Sequence, residues 1–356
     1  MTKKYGVLLF FILSASFVKA QYEAILNDPD VIWAAEINLT FWIEPEFTAP
    51  DSLNSDRNYS TLLKLTNDAA DPGDESKVLL ATRLLNLLGD EQKQVFAHPD
   101  SLRALTPQER DQILNIKDTV TVVDPVTGME SNRLVYNCWT SESIQMMRVR
   151  QLLFYRDKTD EFELYTLAFA PLMRRNTGSE FSAAYVRYLP FWFKMPPYHR
   201  KESNLSLLDK PNITWARRMR TGTNMPPLDN LHPFKDFKRP VMQQYVNRLR
   251  EDPKFQVRGG YEWNNMSTEA REQYFTKTDT VVTFDPETYE EKLMIVHNDL
   301  TGQELMQLRL VEDWFWDERR RYPIFQLYAF APMETVRDQD GNPRFNRPIF
   351  WRLVRD

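Results

Sequence analysis

Cysteine, histidine and glycine are scarce in this sequence. Cys138 is the only cysteine, so no disulfide bond can form within one chain. There are ten glycines in 356 residues, and none of the glycine-dependent phosphate-loop, dinucleotide or nucleophile-elbow motifs occurs. The four histidines lie far apart in the sequence, none with a second histidine or cysteine at metal-ligand spacing: His98, His199, His232 and His297. We therefore expect no catalytic residue, no metal site and no cofactor.

Long apolar runs are absent after the N-terminus. Lys3 and Lys4 precede the apolar residues 6–17, and Val18-Lys19-Ala20 has the small-x-small pattern of a cleavage site, which predicts a signal peptide over residues 1–20. No cysteine stands beside this site to carry a lipid. Without the three lysines of the signal peptide the chain has 42 basic and 50 acidic residues, a formal charge of −8. This charge disfavours nucleic acid or an anionic membrane as the main partner.

The sequence contains an internal repeat. Residues 118–172 align with residues 279–333 without a gap at an offset of 161, and 16 of the 55 columns are identical. For example, DTVTVVDP at 118–125 meets DTVVTFDP at 279–286. An ungapped match of this length indicates a duplicated unit. We call positions separated by 161 residues equivalent positions.

The second copy of the repeat has the clearest local pattern. Thr301 and Glu304 have the spacing of a capping box, which predicts a short helical turn. Apolar residues then occupy alternate positions from Leu308 to Trp316, as in a β-strand, until the charged residues 317–321 interrupt the pattern. Because a second extended run follows, the pattern predicts a β-hairpin with aromatic cross-strand pairs.

These observations predict an α+β fold of two tandem homologous units, each a small antiparallel sheet with an aromatic hairpin packed by short helices. An apolar strand with a tryptophan begins each unit, at Trp33 and at Trp215. Thr106 and Ser267 are expected to cap equivalent helices. The predicted division of the chain is a signal peptide (1–20), a first unit (21–196), a polar, proline-bearing linker (197–211) and a second unit (212–356).

Two groups of side chains near the aromatic hairpin are candidates for function. Trp314 and Trp316, with Tyr155 at the position equivalent to Trp316, are candidate partner contacts, the alternative being that they fill the core. Phe315 is expected in the core because the equivalent residue is Phe154. The acidic cluster is interpreted as a solvated strand edge and turn rather than a catalytic pair, because the equivalent positions keep only one acid: Glu312, Asp313, Asp317 and Glu318.

Three segments of the second unit resemble the GldN/PorN family. Residues 300–317 resemble its leucine–threonine start, short helix and aromatic-rich strand end; Ala331-Pro332 resembles the end of its next strand; and residues 348–351 resemble its final LFW. The resemblance covers about 279–353, and weakly 118–193 through the repeat. Members of the family carry this motif once, whereas this chain carries it twice.

The resemblance implies a structural subunit of the type IX secretion and gliding machinery, in the periplasm and peripheral to the outer membrane. It implies assembly into a ring with an outer-membrane lipoprotein of the GldK/PorK type, near the GldL/GldM motor proteins, and it transfers no catalytic residue. The aromatic residues leave a second hypothesis open, an exported glycan- or protein-binding module with aromatic platforms. A secreted hydrolase is disfavoured because converging nucleophiles, bases and ligands are missing from the sequence.

Overall fold

The computed structural model describes most of the chain beyond the expected signal peptide, which lies outside the described residues. These are 23–43, 59–65, 75–123, 125–176, 186–196, 204–220, 233–235, 241–252, 256–259, 264–300, 302, 305, 307–338 and 342–354. No helix within these ranges is long and apolar enough to cross a bilayer. The helices are α1 (Glu75–Gly89), α2 (Pro107–Leu114), α3 (Asn204–Leu208), α4 (Val241–Glu251) and α5 (Thr268–Phe275).

The strands occupy both halves of the chain. In the first half they are β1 (Val31–Trp42), β2 (Tyr59–Leu65), β3 (Asn115–Val123), β4 (Glu130–Cys138), β5 (Ile144–Arg156), β6 (Glu161–Asn176), β7 (Val186–Pro190) and β8 (Phe193–Lys194). In the second half they are β9 (Ile213–Arg220), β10 (Pro233–Lys235), β11 (Arg258–Gly259), β12 (Asn264–Asn265), β13 (Thr276–Phe284), β14 (Glu291–Asp299), β15 (Gln307–Asp317), β16 (Tyr322–Arg337), β17 (Pro343–Pro348) and β18 (Arg352–Leu353).

Most of these strands form two antiparallel sheets. Sheet 1 has the order β10-β1-β5-β6-β7, with β8 also paired to β6. Sheet 2 has the order β2-β9-β15-β16-β17, with β18 also paired to β16. The long hairpins β5–β6 and β15–β16 contribute the inner strands, and β15–β16 is the aromatic hairpin predicted from the sequence. The fold is therefore α+β and mostly antiparallel.

Elements of the two halves have matching bounds. From α2 to β6, except at the start of β5, each element begins and ends 161 residues before an element between α5 and β16. A β-bulge follows Arg150 in sheet 1 and the equivalent Val311 in sheet 2. Asp160 and the equivalent Arg321 both have a φ of 50° in the turns that follow. The backbone therefore takes the same course through both segments.

Each sheet takes one edge strand from the other half of the chain. β2 follows β1 in sequence but pairs with β9 in sheet 2, where Leu62 lies opposite Arg217. β10 follows β9 but pairs with β1 in sheet 1, where Ala34 lies opposite Lys235. The two segments that the sequence divides into units are therefore interleaved, and each completes the sheet of the other.

One core lies between the two sheets and contains residues of both halves. Phe162 of β6 lies 5.1 Å from Phe330 of β16, and Phe169 lies 5.7 Å from Phe325, measured between ring centroids. Tyr245 of α4 is fully buried and packs against both Phe162 and Phe330. Burial of aromatic side chains contributes about 25 cal/mol for each Å² of apolar surface removed from water, so this interface is a main source of stability.

The outer face of each sheet is covered by a small local cluster. Phe154 of β5 packs with Ile25, and the equivalent Phe315 of β15 packs with Leu207 of α3. Both phenylalanines are fully buried, which confirms the core position expected for Phe315. α3 lies inside the segment 197–211 that the sequence assigned to a linker, so part of that segment is a helix that covers sheet 2.

The predicted N-caps of α2 and α5 are both present. Thr106 accepts a hydrogen bond from the Glu109 amide at 3.2 Å, while the Glu109 carboxylate accepts one from the Thr106 amide at 2.8 Å. Ser267 accepts from the Ala270 amide at 3.1 Å. Each bond satisfies an amide that the first helical turn leaves without a partner.

The connection that leads into β15 passes close to α4. Gly302 has a φ of 90°, and a Cβ atom there would lie 2.7 Å from the carbonyl oxygen of Met242, so a larger residue does not fit. Thr301 and Glu304, the predicted capping box, lie outside the described residues. Gln307 already belongs to β15, so the strand begins inside the segment expected to be helical.

Candidate interaction surface

The structure buries the aromatic residues that the sequence offered as candidate contacts. Trp314, Trp316 and Tyr155 keep 1%, 3% and 0% of their surface exposed. All three face the core between the sheets, because alternate residues of a strand share one face. The Trp314 ring lies 4.7 Å from Phe41 and 5.1 Å from Phe325. They offer no surface to a partner in this structure, and the alternative interpretation, that they fill the core, is the correct one.

The acidic cluster is also buried, so the expected solvated strand edge is wrong for three of its four members. Glu312, Asp313 and Asp317 are 0%, 0% and 5% exposed, while the Glu318 side chain is 43% exposed and pairs with Arg83 at 2.8 Å. The reason is the position of β15 in the sheet. β15 is an inner strand, flanked by β16 and β9, and pairing with β9 removes the predicted edge from solvent.

Equivalent residues meet at the centre of the core. Gln151 of β5 donates a hydrogen bond from Nε2 to Glu312 Oε2 of β15 at 2.7 Å, and it also reaches Thr166 Oγ1 at 3.3 Å. Trp314 Nε1 donates to the same Glu312 oxygen at 3.2 Å. Because Gln151 and Glu312 are fully buried, this polar contact fixes how the two sheets lie against each other.

Asp313 lies on the opposite side of β15 and is held by an arginine. Arg218 of β9 donates two hydrogen bonds to the Asp313 carboxylate, at 2.7 Å and 3.0 Å. The Arg218 guanidinium also lies 3.2 Å from the centroid of the Tyr328 ring. A bidentate pair stacked on an aromatic ring orders three adjacent strands, so the role supported here for Asp313 is structural.

The remaining sequence candidates are scattered. His98 is on the surface beside Asp100, with 3.4 Å between the His98 Nδ1 and Asp100 Oδ2 atoms. His199 and His232 lie outside the described residues, and Cys138 ends β4. In the described ranges, histidine, cysteine and carboxylate side chains form no group of three or more that could hold a metal ion.

Two long hairpins stand apart from both sheets. We call β3–β4 the first hairpin and β13–β14 the second hairpin; within the described chain each of these four strands pairs only inside its own hairpin. Each hairpin follows a capped helix directly, because α2 ends at Leu114 before Asn115 of β3, and α5 ends at Phe275 before Thr276 of β13. A two-stranded ribbon has no sheet beside it, so it is stable only when its base or one face is supported.

The base of each hairpin is fixed to the body of the protein. Below the first hairpin, Trp139 Nε1 donates a hydrogen bond to the carbonyl of Ile113 at 2.9 Å. Below the second, the carbonyl of Phe275 accepts from the Leu300 amide at 2.8 Å and from Arg250 at 2.9 Å. Phe275 itself is fully buried. The hairpins are therefore held at one end, while the strands beyond the base extend from it.

The second hairpin exposes four large apolar side chains on one face. Val282 lies opposite Leu293 and Thr280 opposite Ile295, so these residues share a face with Phe284. Val282, Phe284, Leu293 and Ile295 are 49%, 62%, 75% and 62% exposed. We call these four residues the apolar face. Contiguous apolar surface of this kind is typical of sites that bind another molecule, which makes the apolar face the candidate interaction surface.

The turn of the second hairpin is acidic and has an unusual backbone. Asp285 accepts hydrogen bonds from Lys292 Nζ at 2.5 Å and from the Glu287 amide at 2.9 Å, and these bonds, the lysine first, hold the pKa of Asp285 below its ordinary value. Tyr289 is 80% exposed and has a φ of 56°, whereas the equivalent residue is Gly128, with a φ of 66°. A left-handed conformation costs roughly 1–2 kcal/mol for a residue with a side chain.

The sequence analysis missed this surface, although a signal for it exists. Residues 293–296 form an unbroken apolar run, Leu-Met-Ile-Val, in a strand that nothing covers. The equivalent positions in the first hairpin begin with Asn132 and Arg133. No model of a protein family matches the chain, and no curated protein matches it. The resemblance over residues 279–353 and the two hairpins are therefore the observations from which a function can be inferred.

Proposed function

We propose that this protein is an exported structural subunit related to the GldN/PorN family. It assembles in the periplasm with an outer-membrane lipoprotein of the GldK/PorK type into a ring-like scaffold of the type IX secretion and gliding machinery. The observation that carries this proposal is the second hairpin, a ribbon fixed at its base and exposing an apolar face. Exposed apolar ribbons of this kind suit contacts with other protein chains better than they suit a reaction.

We also propose that the two halves are copies of one ancestral unit. The ungapped repeat, the shared spacing of 161 residues between elements and the matching β-bulges support this origin. Duplication gives one chain two hairpins at equivalent positions. Such a chain has two similar attachment points, and each is free to acquire its own contacts in an assembly.

A glycan-binding module has less support. Sugar platforms need exposed tryptophan or tyrosine faces, and Trp215, Trp314 and Trp316 are all buried in the core. The exposed Tyr289 lies on a turn between carboxylates rather than in a groove. No observation on the described residues favours this second function over the scaffold.

The test combines the chain from residue 21 onwards with the GldK/PorK-like lipoprotein of the same organism. Multi-angle light scattering and negative-stain electron microscopy are expected to reveal a joint assembly with ring-like particles, while a mixture with an unrelated outer-membrane lipoprotein is not. If the protein elutes as a monomer beside its lipoprotein and no ordered particles form, the scaffold function is wrong.

A further inference from the structure

We infer that the second hairpin docks on β17 of a neighbouring copy of this chain, so that copies join head to tail. The inference depends on the proposed scaffold function and names the partner of the apolar face. Four observations carry it: the contrast with the first hairpin, the backbone of Tyr289, the charge of the second hairpin and the composition of β17.

The first hairpin shows that its backbone does not need an apolar face to form. At the positions of Val282 and Leu293 it carries Thr121 and Asn132, which are exposed and joined by a hydrogen bond of 3.1 Å between Oγ1 and Oδ1. The strand bounds and the pairing are the same in both hairpins. The apolar face of the second hairpin is therefore not required for folding, and binding is the use that explains it.

Tyr289 supports the same conclusion. The equivalent turn position is Gly128 in the first hairpin, where the left-handed backbone carries no cost. The second hairpin keeps a large, 80% exposed side chain there in a conformation that tyrosine rarely adopts. Strain of this kind is maintained where the side chain is used, so Tyr289 extends the contact surface to the end of the hairpin.

The charge of the second hairpin limits what can bind it. Residues 276–299 contain two lysines and six carboxylates, a formal charge of −4. Two copies of this hairpin packed face to face would bring like charges together around a dry centre, which is unfavourable. An anionic membrane is excluded by the same repulsion. The occupant therefore needs an apolar centre with positive charge around it.

β17 offers this combination. It is the edge strand of sheet 2 and contains Arg344 and Arg347 but no acidic residue, and Phe345 between them is 55% exposed. Arg347 pairs with Glu334 at 2.6 Å, but exposed pairs contribute little and exchange partners easily. Pro343 and Pro348 end the strand and prevent it from being extended by a long backbone ladder. The contact is therefore made by side chains, with Phe345 on the apolar face and the arginines near the acidic turn.

Because the two surfaces differ, the contact is heterologous. Such a contact does not satisfy itself in a symmetric pair, and it continues from copy to copy until a ring closes or a filament forms. The second hairpin of each copy is occupied by the next, while its β17 accepts the one before. This arrangement supplies the self-association that a ring-like scaffold requires.

Sedimentation velocity of the full chain from residue 21 onwards tests the contact. The protein is expected to self-associate, and more weakly at high salt because charged groups surround the contact. Val282→Thr with Leu293→Asn, which installs the side chains of the first hairpin, is expected to raise the dissociation constant at least about tenfold. Tyr289→Gly is expected to weaken association while raising the melting temperature. Val126→Ser, at a 91% exposed site in the first hairpin's turn, is the control and is expected to change neither.

A mixing experiment separates the two surfaces. The Val282→Thr/Leu293→Asn variant and an Arg344→Glu/Phe345→Ser variant are each expected to be monomeric alone. A mixture of the two is expected to form dimers and nothing larger, since each copy keeps one intact surface. A monomeric wild-type chain, full association of the hairpin variant, or a monomeric mixture of the two variants would each overturn the inference. If lipoprotein binding persists in these cases, the proposed scaffold function survives without this contact.

Discussion

The first and second hairpins have the same length, pairing and turn conformation, but different surfaces. Thr121 and Asn132 of the first are replaced by Val282 and Leu293 in the second. Buried positions behave differently, as Phe154 and Phe315 show by remaining identical. The comparison teaches that buried and turn residues specify the backbone of this unit, while its exposed positions are free to acquire separate contacts.

The centre of the core gives a second comparison between equivalent residues. Gln151 and Glu312 are in hydrogen-bonding contact at 2.7 Å, one neutral and one able to carry charge. If both were carboxylates, two like charges would face each other without water. Divergence at this position therefore serves the interior, whereas divergence in the hairpins serves the surface.

The largest effect is expected from separating the halves. Residues 21–203 and 204–356, expressed alone, are each expected to lack a cooperative unfolding transition, because each loses an edge strand and half of the core. Co-expression is expected to restore a folded complex. Circular dichroism during heating and amide NMR spectra provide the measurement. Cooperative unfolding of either half alone would contradict the interleaved arrangement.

Truncation at the conserved outer-face positions is expected to have the next largest effect. Phe154→Ala and Phe315→Ala each leave a cavity in a fully buried cluster and are expected to lower the free energy of unfolding by about 3–5 kcal/mol. Urea denaturation of the two variants checks both the size and the similarity of the losses. Val126→Ala, at an exposed site, is the control and should remain within about 0.5 kcal/mol of the wild type. A large loss at only one phenylalanine would show that the two clusters are not comparable.

Making the central pair symmetric is expected to have an intermediate effect. Gln151→Glu places a second carboxyl beside Glu312 and raises the pKa of one of the two by about 2–3 units, which costs about 3–4 kcal/mol at pH 7. A raised carboxyl pKa destabilises the fold as the pH rises through it, so the loss should disappear below about pH 4. Urea denaturation between pH 4 and pH 8 measures this slope. Glu312→Gln is the control, since a neutral pair should add no pH dependence of this kind.

The smallest effect is expected at the N-cap of α2. The Arg103 guanidinium, and then the Thr106 amide, lower the pKa of Glu109 from 4.5 to about 2, whereas the equivalent residue in α5 is Ala270. A lowered pKa means that the Glu109 contribution is present above pH 4.5 and is lost as the pH falls toward 2. Glu109→Ala should therefore speed amide exchange in the first turn of α2 above pH 4.5 and not near pH 2. Equal exchange rates in the variant and the wild type above pH 4.5 would contradict this role.

Local features of the fold were predictable from the sequence because they depend on neighbouring residues. The caps at Thr106 and Ser267 need only a side chain and an amide three residues away. The aromatic hairpin follows from alternation between Leu308 and Trp316 with a charged turn after it. Phe315 could be placed in the core because its equivalent is also phenylalanine.

The errors all concern which strands meet. The acidic residues Glu312 and Asp313 were expected at a solvated edge, but β9 pairs on that side and buries them. Trp314 and Trp316 could have faced either a partner or the opposite sheet, and alternation alone does not distinguish the two. The exposed apolar face was missed for the opposite reason, because an apolar strand is ordinarily covered.

By itself, the sequence determined the repeat, the caps, the strands and the mostly antiparallel α+β class, since each follows from residues close together in the chain. Only the tertiary structure decided that β2 and β10 change places between the sheets, that Gln151 meets Glu312, and that the second hairpin keeps its apolar residues in solvent. These outcomes depend on contacts between residues more than 100 positions apart. Side-chain alternation specifies the face of a strand but not its partner.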